Sequence, residues 1–145
     1  MSSSYRDLDI YNASLNLFFK IHSLSLKLPK YELYELGSQI RRSSDSVVIN
    51  IVEGYGRKRY KADFIKFLTY SHASNDETIL HFNKLLHLYP AIMEPHQDLV
   101  KDYEILGAKI NKFIQYVELL EKLIFRNQKP ETRNSEPATR IPLIN

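Results

Sequence analysis

The sequence of 145 residues contains no cysteine, and that absence removes a disulfide framework and every thiolate metal site. Nor does any apolar run approach the roughly 18 to 20 residues that a membrane-crossing helix needs, because charged or polar residues interrupt each one. The opening MSSSYRDLDIYNAS lacks the basic-then-apolar pattern of a secretory signal, so a cytoplasmic protein that does not span a membrane is expected. Bundles that hold two irons place Glu-x-x-His pairs on facing helices, and none of His22, His72, His81, His87 and His96 stands in such a pair. The Arg-to-His spacing around which helical-bundle ribonucleases are built is also missing. Gly54-Tyr55-Gly56 is too short to cradle a phosphate and follows a helical pattern, not a strand. No serine, histidine and acid can be assembled into a nucleophilic set. A protein without a catalytic centre, cofactor or metal site is expected; His72 and Asp76, four apart on one helical face, read as a solvated pair.

What is present is an ordinary globular balance, 43% apolar and 26% charged, in a length that suits one domain. Apolar residues recur at steps of three and four. Ile10, Ala13, Leu17, Ile21, Leu24 and Leu28 predict a first helix from Asp7 to Leu28, stopped by Pro29. A second apolar set on that helix, Leu8, Tyr11, Leu15, Phe18 and Phe19, lies on nearly the opposite face and asks for another partner. Leu33, Leu36, Ile40, Val47 and Ile51 predict a second helix from Tyr31 to Glu53, with Ser43 and Ser44 small enough for close helix approach and the Gly54 segment as a left-handed break. Phe64, Phe67, Leu68, Ser71, Thr78, Phe82 and Leu85 predict a third, from Lys61 to Tyr89, with a polar middle. Leu99, Tyr103, Leu106, Ile110, Phe113, Val117, Leu120 and Ile124 predict a fourth, from Pro95 to Phe125. Four long helices with short connections predict an all-α, antiparallel up-and-down four-helix bundle over residues 1–125. Residues 126–145, with three prolines, read as a disordered tail.

The net charge of +3 is unevenly spread: residues 41–66 hold seven basic and three acidic side chains, and residues 67–125 five and eight. A strongly basic protein surface is therefore not implied, only a local patch. Arg57, Lys58, Arg59 and Lys61 with Tyr60 form an interhelical corner able to hold phosphates and stack a base, and a merely solvated loop is the alternative. Polar side chains inside helix two are costly to bury unless paired, so Arg41 is expected to pair with Glu77 of the antiparallel third helix, inside the bundle or between subunits.

QIRRSSDSVVINIVEGYGR, together with YRDLDIYNAS, FIKFL and Ser74-Asn75-Asp76-Glu77, resembles the bacterial four-helix-bundle proteins encoded in intervening sequences of 23S rRNA genes. The motif positions are Gln39, Arg41, Asn50, Glu53, Gly54, Gly56, Ser74 and Glu77, with Val52 and Ala73 departing from the usual pattern. The resemblance implies a ring-shaped homopentamer of bundles, similar to the accessory protein of diversity-generating retroelements, with no established enzymatic activity. It implies RNA or DNA contact through Arg41, Arg42, Arg57, Lys58, Arg59, Tyr60 and Lys61. A scaffold that binds a partner protein and no nucleic acid is the other reading, favoured by the near-neutral bundle.

Overall fold

The computed structural model describes residues 4–129, and these are helical with no strand among them. The helices are α1 (Asp9–Ser25), α2 (Leu36–Gly56), α3 (Lys61–Leu88), a single turn α4 (Pro90–Met93) and α5 (Asp98–Gln128). Short 3-10 turns at Tyr5–Asp7, Lys30–Glu32 and Glu94–His96 punctuate them. The proposed tail lies outside the described residues except at its start, where α5 continues to Gln128.

Side-chain bonds place the helices in register. Thr78 and Ser74 of α3 meet Ser43 and Ser46 of α2, so numbering rises along one helix as it falls along the other. Asn75 reaches the Tyr103 carbonyl, and Lys109 reaches Asp9, which set α5 beside α3 and α1. The buried residues include Ile21, Ile40, Val47, Ile51, Phe64, Leu68, Phe82, Leu85, Leu106 and Ile110, with contributions from all four long helices. Burial of this apolar surface is the main stabilising contribution.

The second face of α1 is partly used within the chain. Leu8, Tyr11, Leu15 and Phe18 are half-buried, the Tyr5 ring packs edge-on against Tyr11 at 5.0 Å, and Phe19 remains 58% exposed. Several boundaries differ from the periodic expectation: α1 ends at Ser25 and not at Leu28, α5 begins at Asp98 with Pro95 left in the preceding 3-10 turn, and α2 is shifted at both ends. The second helix begins at Leu36 and not at Tyr31, because the buried Glu32 carboxylate accepts the Leu36 N–H at 3.2 Å and the Tyr89 hydroxyl at 2.9 Å. An acidic group beside a helix N-terminus satisfies an otherwise orphaned donor. Gly54 and Gly56 do not break α2, since no glycine has a positive φ among the described residues and the helix closes at Arg57. Pro90 starts α4 after α3 ends at Leu88. In α5, Ile114 is buried, Phe113 half-buried and Ile124 44% exposed, because the last turns reach past the ends of α1 and α3 in this register.

Two glycines on α2 answer opposite tests. A methyl group at Gly37 would lie 2.6 Å from the Glu32 carbonyl oxygen, backbone that cannot rotate away, whereas one at Gly56 would meet nothing within 4 Å. Gly37→Ala is therefore expected to destabilise by about 1–3 kcal/mol through overpacking, and Gly56→Ala to stabilise by about 0.4–1 kcal/mol through the unfolded chain, both read from urea midpoints. Tyr103 is fully buried with a hydroxyl that has no partner among the described residues, and burial pushes its pKa well above the ordinary tyrosine range, so it stays neutral. Tyr103→Phe should raise stability by about 1 kcal/mol, since an unsatisfied buried hydroxyl is removed at nearly constant volume.

Candidate nucleic-acid interface

The corner between α2 and α3 arises from how closely the two helices approach. A methyl at Gly54 would lie 3.1 Å from the Phe67 Cβ and 3.2 Å from Phe64 Cδ2, so the glycine serves contact between helices, not a left-handed turn. The chain then reverses within Arg57 to Tyr60: Arg57 N–H donates to the Gly54 carbonyl at 3.0 Å, Lys58 N–H to Tyr55 at 3.1 Å and Tyr60 N–H to Arg57 at 2.8 Å. With its backbone occupied, the turn projects its side chains outward.

Those side chains divide into held and free. Arg57 lies over the Phe67 ring at 4.9 Å and 3.7 Å from the Asp63 carboxylate. Both partners of that ion pair are about half exposed, which makes it worth little. The Lys58 amine sits over the Tyr55 ring at 4.1 Å and donates to its hydroxyl at 2.8 Å, and Lys61 Nζ donates to the Lys58 carbonyl at 2.6 Å. Arg59 and Tyr60 are exposed at the apex. The structure therefore brings Arg57, Lys58, Arg59, Tyr60 and Lys61 together. It does not add Arg41 or Arg42, which lie a further four turns back along α2, about 20 Å away. Arg42 is exposed there.

Arg41 does not pair with Glu77. Its Nη1 donates to Ser25 Oγ at 2.9 Å and its Nη2 to the Leu33 carbonyl, joining α1, the Lys30–Glu32 segment and α2. Ser25 passes the bond on to the His22 carbonyl at 2.7 Å. Glu77 instead meets His81 one turn along α3, Oε1 to Nε2 at 3.2 Å. The guanidinium chose a backbone carbonyl that the chain reversal after Pro29 leaves without a helical donor.

The other motif residues line the α2–α3 seam or its edge. Ser46 Oγ and Ser74 Oγ are 2.9 Å apart, Asn50 Nδ2 donates to the Ser46 carbonyl at 2.9 Å, and Ser71 Oγ donates to the Val47 carbonyl at 2.7 Å. Thr78 Oγ1 lies 2.9 Å from Ser43 Oγ and 2.8 Å from the Ser74 carbonyl. Gln39, Glu53 and Gly56 are exposed. Sequence reading missed Lys66, Phe67 and Tyr70 as neighbours of the corner, although Tyr70 stands four residues after Lys66 and three after Phe67, spacings that bring it beside each on α3. His72 and Asp76 lie 3.7 Å apart, and no larger group of metal-binding side chains forms among the described residues.

The chain matches the family model described as 23S rRNA-intervening sequence protein over residues 6–112. No curated protein matches it.

The matched span includes both Arg41 and Glu77, and the bonds described separate their roles. Arg41→Ala should cost about 1–3 kcal/mol, because Ser25 and the Leu33 carbonyl lose their donor in a partly buried site. Glu77→Ala should leave that cost unchanged, giving a double-mutant coupling within about 0.5 kcal/mol of zero in denaturation measurements. A coupling well above that would restore the direct pair.

Proposed function

Since the chain belongs to the 23S rRNA-intervening sequence protein family, we propose that it is a non-enzymatic accessory protein that binds nucleic acid, RNA or DNA, through the α2–α3 corner. In this reading the chain is an up-and-down four-helix bundle that assembles as a ring-shaped homo-oligomer, a pentamer. The observation that carries the reading is the corner itself, where exposed Arg59 and Tyr60 stand beside Arg57, Lys58 and Lys61 on one short reversal. Assembly is supported by apolar surface left on the outer sides of α1 and α5, where Phe19, Leu119, Leu123 and Phe125 are exposed. Repetition around a ring would multiply a modest patch, because linked sites bind with high effective concentration.

A second reading has its own support. Residues 1–125 hold 16 basic and 15 acidic side chains, and the exposed apolar row on α5 suits a partner protein better than a polyanion.

Light scattering of the purified chain should give a multiple of the chain mass, and a monomer at working concentration removes the ring. Retention of RNA should fall with salt, and replacing Arg57, Lys58 and Arg59 by Ala should flatten the log–log salt slope by about 2. Unchanged retention in that variant takes the corner out of the reading. Recovery of a stoichiometric protein partner with no nucleic acid selects the scaffold.

A further inference from the structure

The geometry points to single-stranded nucleic acid, held by stacking on exposed tyrosines, as the ligand class of the α2–α3 face; the inference rests on the nucleic-acid reading above. The surface that matters extends beyond the corner and up the outer side of α3. Lys66 Nζ stands 5.9 Å from the ring centres of both Phe67 and Tyr70, whose rings meet edge to face at 5.8 Å. Arg57 covers the Phe67 ring from the α2 side at 4.9 Å. The result is a row in which cations and rings alternate: Arg57, Phe67, Lys66, Tyr70. Three cation–ring contacts fall on this surface, and Lys58 over Tyr55 adds a fourth at the adjoining corner.

The row ends in an open ring, Tyr70, and a second open ring, Tyr60, stands at the corner where α3 begins. Tyr60, at the start of α3, is 64% exposed, and Tyr70, nearly three turns along, is 47% exposed. Along a helix that separation is about 15 Å. A tyrosine ring left in water beside lysines and arginines has a specific use when the ligand is a polyanion with planar groups. A duplex keeps its bases stacked on one another and presents phosphate and sugar outward, whereas a single strand offers unpaired base faces to aromatic side chains. Cations alone would serve either form; the exposed rings among them select the single strand. The hydroxyl-rich seam behind this face fixes Phe67 and Tyr70 on a packed helix, so the rings need little ordering on binding.

The test is fluorescence anisotropy at fixed salt with a labelled oligouridylate and an RNA duplex of equal length, using the full chain. The wild type should bind the single strand at least about tenfold more tightly than the duplex. Tyr60→Ala and Tyr70→Ala should each weaken single-strand binding by roughly 5- to 100-fold, the range of base–aromatic stacking losses, while leaving duplex binding and the salt slope unchanged. Tyr60→Phe and Tyr70→Phe should retain the preference, and circular dichroism and light scattering of every variant keep folding and assembly separate from binding. Equal or tighter duplex binding, alanine variants that bind the single strand as the wild type does, or a Tyr70→Ala effect confined to oligomer mass each overturns stacking and leaves the broader nucleic-acid reading standing. Failure to bind either probe removes that broader reading, and this inference with it.

Discussion

Serine and threonine hydroxyls stand where a helix interface would ordinarily place leucines, and they let α2 and α3 lie close enough for Ser71 Oγ to donate directly to the Val47 backbone carbonyl. Small side chains shorten the distance between helix axes, while each hydroxyl must find an acceptor or its burial becomes a cost. Here the acceptors are in the helices themselves: Ser43 donates to the Ile40 carbonyl, Ser44 to Arg41, and Ser46 faces Ser74. One turn beyond Ser71, Asn75 reaches the other way, donating to the Tyr103 carbonyl of α5 at 2.8 Å. Gly107 leaves room for it, since a methyl there would lie 2.9 Å from the Asn75 amide. α3 is thus clamped by side chain to backbone bonds on both sides, and those bonds fix register in a way that interchangeable leucines would not.

The register has consequences at both ends. At one end it brings Gly54 against Phe64 and Phe67, so that four residues suffice to reverse the chain and Arg57 lands over the Phe67 ring. At the other it brings Tyr89, just past α3, to the Glu32 carboxylate, which in turn receives the first N–H of α2. The Tyr89 hydroxyl pKa is raised well above the ordinary tyrosine range, chiefly through its hydrogen bond with Tyr31 and then desolvation and the bond to Glu32. A neutral phenol is therefore the form that donates to the carboxylate. The α3 helix is the spacer between these two ends, and Arg41 ties the second end back to α1 through Ser25.

The helices were legible because their apolar stripes are strong: Ile10, Leu17, Ile21 and Leu24, and again Leu99, Tyr103, Leu106 and Ile110, are buried as their spacing implies. The polar stretch of α2 was legible as a network in need of partners, because burial of hydroxyls and amides imposes that need wherever the chain folds, whereas the middle of α3 was legible only as polar. What spacing could not convey was which groups meet. Glu32 delays the second helix through Tyr89, more than fifty residues away. Arg41 finds the Leu33 carbonyl, and a backbone oxygen has no residue type to advertise it. Glycine in Gly54 signals a turn or a close contact equally well, and only the neighbouring Phe64 and Phe67 decide between them. The exposed end of α5 follows from relative helix lengths, which no single stripe contains.

Charge at the corner shows why position outweighs net balance. An arginine neutralised by a close carboxylate contributes little to an outside anion, and the Arg57–Asp63 separation of 3.7 Å in a half-exposed pair leaves most of the attraction to solvent screening. A cation held on an aromatic ring is different: the ring quadrupole orients it without cancelling its charge. Lys58 on Tyr55 and Arg57 on Phe67 are held in this way, so rotamer freedom that a free lysine would lose on meeting an anion has already been lost on folding. Arg59 keeps that freedom. The corner therefore combines positioned charge with adaptable charge, and the rings that do the positioning belong to the same packed helices whose hydroxyl seam set the register.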